Sequence, residues 1–285
     1  MLSANKQNPP GRHHFLPQFF IRRFSQSDDE TVYVYNKLRD HLGTIPQPPG
    51  KICHESHLYS LETLGQRHPL IEKTFSFFEK QWADTFRMLD ASEFEANVLL
   101  ADGNGEKIVR FFYACQFWRS PKRKELASRS AETLLSLYDA LGKAEHLIAP
   151  IERKELKRFV KLKASANNMK IIQNFLFPIM TYMTPAANGA KFRVVEKPKD
   201  YDMDLLCADV GIVGETIEEV FSSEGVKLFP LSRQRLLVLS QDPVSVTADE
   251  VDRFQRSLIE SAAQHVFCAT KDGLARHINR LRYEL

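Results

Sequence analysis

Two adjacent histidines, His13 and His14, open the apolar stretch HHFLPQFFIRRF, which also carries Arg22 and Arg23. Imidazole titrates near neutral pH, so either ring is a candidate general base or metal ligand. In an extended lead-in, neighbouring side chains point to opposite sides, so at most one of the pair faces a shared interior site. The plainer alternative is one surface histidine and one that is simply hydrogen-bonded. A second set lies in IEKTFSFFE, where Glu72 and Glu79 stand two helical turns apart on one face, close to Phe75 and Phe86. Two carboxylates on a partly apolar face suit a divalent cation such as Mg²⁺ or Mn²⁺, or the burial of an arginine. An ordinary solvated face accounts for them equally simply.

The third set is QFWRSPKR, with Gln116, Arg119 and Arg123 at i, i+3 and i+7. Pro121 interrupts that alignment, leaving Arg119 at the end of one helix and Arg123 in the first turn of the next. An arginine inside FFYACQFW is costly to bury without an anion. Glu72, Glu79 or the phosphate of a ligand can supply one, and structural pairing and ligand binding stay equally open. A fourth set, ERKELKRFVKLK, carries Arg153, Lys154, Lys157, Arg158, Lys161 and Lys163 around most of a helix, diluted by Glu152 and Glu155. It is either a phosphate-backbone contact or a solvated helix. No G-x-x-x-x-G-K, G-x-G-x-x-G, G-x-S-x-G or H-E-x-x-H occurs, so the corresponding nucleotide-loop and hydrolase mechanisms have no support.

These residues need elements to hold them. PQFFIRRF predicts a short helix with Phe20 and Phe24 on one face, and the alternation in TVYVYNK predicts a strand, followed by short strands in LGTIPQ and ICHESHLYS. After Pro69 the apolar period becomes helical through Leu70, Phe77, Phe78, Trp82, Phe86 and Leu89. A second apolar helix follows the GNG loop, and a charged helix is predicted from Pro121 to Leu141. The basic helix and MKIIQNFLFPIMTYM close the helical middle, about residues 69–185. Strands return in KFRVVEK, DLLCADVGIV, KLFPLS, RLLVLS and AQHVFCAT, with a final helix from TADEVDRF capped by Thr247 and Glu250. The expectation is α+β: a flexible arm over 1–11, then a single domain over 12–285. In it, N- and C-terminal strands pair into one sheet packed against the helical block.

The 285 residues are enough for a sizeable core, and a net charge of +3 is too mild to argue for nucleic acid by itself. The four cysteines have no paired spacing, which fits free thiols in a reducing cytosol. No apolar window is long enough for a membrane span, so a cytoplasmic protein is expected.

Together the motifs resemble the domain-of-unknown-function family 4238. His13, His14, Pro17, Gln18, Phe19, Arg22 and Phe24 match its opening run, and VYVYNK and LYS its tyrosine-rich strand and FYS. Glu72 and Glu79 match its paired glutamates, QFWRSPKR its Gln-x-x-Arg-Thr-Pro-x-x-Arg, and LFPLSRQRLL its Phe-Pro-Leu-Ser-Pro segment. The likeness runs from about residue 12 to 270, and the opening run and QFWRSPKR are its specific motifs. Two departures stand out. CADVG replaces Thr-Ser-Asp-Asn-Pro, keeping Asp209 only, and Gln255 stands where asparagine is expected.

The resemblance carries over no reaction, but some members lie in bacterial anti-phage defence loci, which implies immunity as the setting and a phage component as a trigger. His13 or His14, Glu72, Glu79, Arg119, Arg123 and Asp209 all occupy apolar surroundings, where separate burial is expensive. A common cleft is therefore expected. One reading is a phosphodiester-directed, nuclease-like hydrolase acting on nucleic acid or a nucleotide. In it, His13, His14, Arg119 and Arg123 are catalytic, Arg22 and Gln116 bind ligand, and Glu72, Glu79 and Asp209 hold Mg²⁺ or Mn²⁺. The other is a non-enzymatic sensor or binding module for an anionic ligand or phage component.

Overall fold

A computed structural model describes residues 11–26, 30–63, 66–141, 152–161, 165–184, 189–221 and 225–283. The chain is α+β. Two short ladders belong to its first quarter: β1 (Arg12–His14) pairs antiparallel with β4 (His54–Ser56), and β5 (Leu61–Thr63) with β6 (Gln66–His68). Between the first pair lies helix α1 (Gln18–Arg22), which buries Phe20 and Ile21 and sets Phe20 against Phe24.

The terminal strands do pair across the helical middle, but into two larger sheets rather than one. β2 (Tyr33–Asn36), β3 (His41–Leu42), β8 (Cys207–Ala208) and β11 (His265–Cys268) form a sheet in the order β3-β2-β11-β8. β7 (Lys191–Glu196), β9 (Lys227–Pro230) and β10 (Arg235–Ser240) form another in the order β7-β10-β9. Period-two alternation gives each sheet two buried faces. Val34, Cys207, Phe267, Leu237 and Leu239 enter one apolar cluster, while Tyr35, Ala208, Val266, Leu236 and Val238 enter a second. That is why RLLVLS is an almost unbroken apolar run.

The first cluster is roofed by the helical block. Helix α2 (Leu70–Met88), α3 (Glu93–Ala101) and α4 (Asn104–Arg119) supply Trp82, Phe86, Phe112 and Tyr113, among others, to a dense aromatic interior. The straight helix expected from Pro121 to Leu141 is instead broken into α5 (Lys124–Arg129) and α6 (Leu134–Ala140), joined by single 3₁₀ turns. Helix α7 (Arg153–Lys161) follows, then α8 (Ser165–Ile171) and α9 (Phe177–Met183). A π-helical turn at Ile172–Leu176 separates the last two. Pro178 has no N–H to offer a preceding carbonyl, and a widened turn just before it accommodates that loss.

The second cluster is covered by α11 (Ala248–Ser261), whose Thr247–Glu250 capping box forms as expected, and by α12 (Lys271–Tyr283). Helix α12, not α11, is the last element; its spacing of Leu274, Ile278 and Leu281 was obscured by intervening arginines. The short α10 (Ile217–Phe221) precedes β9. All four cysteines are buried and free. Among the described residues no helix is long and apolar enough to cross a membrane. Except for Gly11, the arm expected over 1–11 lies outside the described residues.

Strand β8 leads into Asp209, whose backbone N–H still bonds to the His265 carbonyl at 2.9 Å. The buried Asp209 carboxylate accepts hydrogen bonds from the backbone N–H groups of Ala263 at 2.8 Å, Gln264 at 2.7 Å and His265 at 2.8 Å. Asp209→Ala leaves three donors of the turn before β11 unsatisfied and should destabilise the fold by about 3 kcal/mol. Asp209→Asn, which keeps one acceptor oxygen, should cost less; thermal unfolding of the two variants checks the order.

Candidate active site

The sequence places Arg119 at the last residue of α4, and Pro121 ensures that the chain leaves the helix there: Ser120 is already extended, at φ −55° and ψ 135°. The carbonyls of Trp118 and Ser120 are taken up by Gln173 Nε2 at 2.8 and 3.2 Å. Arg119 then projects into the interior with 1 % exposure. Its Nε donates to the Tyr59 hydroxyl at 2.6 Å, and its Nη2 donates to the His14 carbonyl and to Glu79 Oε1 at 3.0 Å. The guanidinium lies 4.2 Å from the centre of the Phe75 ring and 5.1 Å from that of Tyr59. Burial alone would lower its pKa, but Tyr59 and Glu79 outweigh it and raise the value, so Arg119 is a permanent cation.

Tyr59 has no role in the sequence reading beyond its place in LYS. In the structure it is the hub. Its hydroxyl donates to the His14 carbonyl at 2.9 Å, its backbone N–H donates to His13 Nδ1 at 2.9 Å, and its ring stacks on His13. Its burial follows from the turn after β4, whose carbonyls at His57 and Ser60 are held by Lys170 Nζ at 3.0 and 2.8 Å. An aromatic between a turn and a strand was the only signal for it.

His13 and His14 separate to opposite sides of β1, as strand alternation requires. The His13 ring is buried against Tyr59 and Glu72; the His14 ring turns toward His54 and Gln18. Burial first, then neighbouring cations and histidines, brings each pKa down to about 4, so both rings are neutral at pH 7. For His13 the hydrogen bond from Tyr59 fixes the tautomer. Nδ1 accepts, so the proton sits on Nε2, which lies 3.4 Å from Glu72 Oε2. The contact is an oriented neutral imidazole against a carboxylate rather than an ion pair. Both of those atoms are shielded from solvent and lack a well-aligned hydrogen-bond partner among the described residues.

Glu72, the carboxylate facing His13, shifts in the other direction. Desolvation, then the charge of Glu79, raises its pKa above the ordinary glutamate value. It borders a cleft of about 460 Å³ together with Arg12, His13, His14, Arg22, Phe75 and Glu79. Arg22 is half exposed at the rim, paired with Glu30 at 2.6 Å, and Arg12, which the motifs did not single out, is exposed there.

Three expected members stand elsewhere. Arg123 lies 4.2 Å over Phe117 and donates to the carbonyls of Glu215 at 2.8 Å and Gly214 at 2.5 Å, because Pro121 breaks the i, i+7 alignment. Gln116 is buried beside Leu16 and Gly211 and does not line the cleft. Asp209 spends its oxygens on three backbone donors. The expected metal trio of Glu72, Glu79 and Asp209 is therefore not assembled. Among the described residues, no three His, Cys, Asp or Glu side chains are grouped to hold a metal ion.

With the cleft in view, the family assignment has a structural counterpart. The profile described as "Protein of unknown function (DUF4238)" matches residues 12–282. The chain belongs to that family. No curated protein and no solved structure matches it. Residues from the two specific motifs, His13 and His14 in β1 and Arg119 in α4, are joined here through Tyr59. The two departures from the family pattern touch other ground. Asp209 holds the turn before β11, and Gln255 Oε1 accepts from the Leu206 N–H at 2.6 Å.

A pH dependence follows from the two neutral histidines. Their folded pKa of about 4 lies below the unfolded value of 6.5, so unfolded chains bind more protons between these limits. Stability should be complete above pH 6.5 and fall toward pH 4, by roughly 3 kcal/mol for His13 alone. The raised pKa of Glu72 acts in the opposite sense, since protonation relieves its buried charge. His13→Asn keeps an acceptor for the Tyr59 N–H without titrating, and should flatten the melting temperature across this window relative to the wild type.

Proposed function

We propose that this protein is a hydrolase of phosphodiesters in which Glu72 is the general base. The observation that carries the reading is the contact of Glu72 Oε2 with the proton-bearing Nε2 of a neutral His13 beside an arginine-rimmed cleft. A carboxylate whose pKa is raised by burial is a better proton acceptor than an exposed one, and with Oε2 shielded beside the imidazole N–H the other oxygen, Oε1, is left for water. Arg12 and Arg22 offer the cleft two guanidinium groups suited to non-bridging phosphate oxygens. Arg22 must exchange Glu30 for the ligand to do so.

In this reading Glu72 removes a proton from water as its oxygen attacks phosphorus. The P–O bond to the leaving group breaks, and the proton held by Glu72 passes to the departing alkoxide. His13 positions Glu72 and does not exchange protons with substrate, since both of its nitrogens face the protein. Arg119 acts through Glu79 and the His14 carbonyl, holding the walls of the cleft. Glu72 and Glu79 are the carboxylates within reach of a divalent cation in the cleft, with one Glu79 oxygen already committed to Arg119. A chelator arm decides whether Mg²⁺ or Mn²⁺ takes part. The alternative of a binding module shares every residue of this site and differs only in lacking turnover. Defence against phage is the setting we attach to the site, on the family resemblance alone.

The test is hydrolysis of bis(4-nitrophenyl) phosphate by the full chain. The wild type should turn it over with an acid limb lying above the ordinary glutamate range, as the raised Glu72 pKa requires. Glu72→Gln should retain its melting temperature and lose at least about 100-fold in kcat, the scale of a general-base contribution. An unchanged rate in that variant ends the reading. Retained phage protection by the same variant would instead support the binding module.

A further inference from the structure

Helix α7 carries the most concentrated positive charge described, and nothing in the cleft chemistry uses it. The sequence spreads its cations around the axis, yet the fold sorts them. Arg153 is drawn off by Asp139, with Nε and Nη2 each 2.6 Å from a carboxylate oxygen. The exposed remainder, Lys154, Lys157, Arg158 and Lys161, falls within about 100° of arc at 100° per residue. Leu156, fully buried in the first cluster, projects nearly opposite that arc. Among the described residues, none of the four is ion-paired. Four cations on one helix face, of which Lys157 alone acts on a carboxylate, that of Asp139, repel one another, a cost that a polyanion would relieve.

We infer that this face of α7 docks the sugar-phosphate backbone of a nucleic acid. From Lys154 to Lys161 the row rises about 10 Å along the helix, comparable to the rise of three nucleotides along one strand. An anionic membrane surface shares the charge but not the geometry. Helices that bind bilayers present an apolar face for insertion, whereas Leu156 is buried and Val160 packs on the core. The inference deepens the phosphodiester reading by making the substrate a polymer, and rests on that reading for the chemistry but not for the binding. The chain's net charge of +3 is no obstacle, because phosphate contacts depend on local cation density.

The experiment is fluorescence anisotropy of single-stranded RNA, single-stranded DNA and duplex DNA with the full chain, across a salt series. The protein with all four cations changed to glutamine (K154Q, K157Q, R158Q, K161Q) is the comparison. Glutamine keeps the helix propensity, so folding should be unaffected. Loss of at least about tenfold in affinity is expected. The slope of log K against log salt should fall by about 3 on single strands, the contribution of four phosphate contacts. Equal affinity and slope in the two proteins would overturn the inference. So would wild-type binding to phosphatidylserine vesicles without binding to any of the nucleic acids. Cleavage of bis(4-nitrophenyl) phosphate is read in parallel. The quadruple variant should retain it at the wild-type rate, and its absence in the wild type would remove the catalytic reading while the anisotropy still decides the docking.

Discussion

A positive charge sealed from water is the constraint around which the first half of this molecule is arranged. An isolated guanidinium at the position of Arg119 would cost several kcal/mol, and the cost is offset only if each neighbouring segment supplies a partner. Three segments do so. The end of β1 offers the His14 carbonyl, the turn after β4 offers the Tyr59 hydroxyl, and α2 offers Glu79 and the face of Phe75. Helix α4 offers the arginine itself, held at its exit by Gln173. These same segments provide most of the cleft wall. The site is therefore not an ornament on a finished core; the neutralisation of one buried cation and the formation of the cleft are the same packing event.

That coupling also fixes protonation states. Because Tyr59 must lie under Arg119, its backbone N–H meets His13 Nδ1, and the imidazole has no freedom to choose its tautomer. The proton goes to Nε2 and toward Glu72. A histidine in such a setting makes a poor proton shuttle and a good positioning group. The carboxylate it faces is desolvated and close to a second negative charge, which together raise its pKa. Residue types alone point to imidazole as the group that titrates near neutrality. The environment, not the inventory, sets the protonation state of each of the two facing groups.

How far the sequence could be read follows the same division between local and long-range physics. Elements set by period and capping were legible: α2 from its helical aromatic spacing, α11 from its capping box, and β2, β10 and β11 from alternation or unbroken apolar runs. The expected meeting of His13, Glu72, Glu79 and Arg119 is what the structure contains. What was not legible depended on partners distant in the chain. Tyr59 matters through contacts with residues some 45 and 60 positions away, so no local pattern marks it. Asp209 looked like a metal ligand because acidic side chains in apolar segments usually need a cation. Backbone N–H groups serve equally well, and three of them, more than 50 positions on, satisfied it first. Pro121 was read correctly as a break, but its consequence for Arg123 required knowing what lay beyond the turn.

The placement of the two departures from the family pattern bears on whether the cleft is intact. The CADVG corner straddles the two clusters: Ala208 and Val210 pack in the second, which the helix of Gln255 covers, whereas Cys207 enters the first and Gly211 lies beside Leu16 of that cluster. The cleft hangs on the first cluster, through Phe75, Tyr59 and the aromatic interior below α2. Between the two stand the sheets, whose alternate residues feed opposite sides. A change confined to one side reaches the other only by shifting a strand, and the β2–β11 register is held by four residue pairs that alternate between the clusters. Asp209 itself, the one member of that corner shared with the family pattern, keeps the turn into β11 in place, so the partition between the two sides survives the substitutions around it. The lost serine and asparagine, at Ala208 and Val210, thus fall on the side of the second cluster, whereas the position of the lost proline, Gly211, stands beside Leu16 on the side of the cleft.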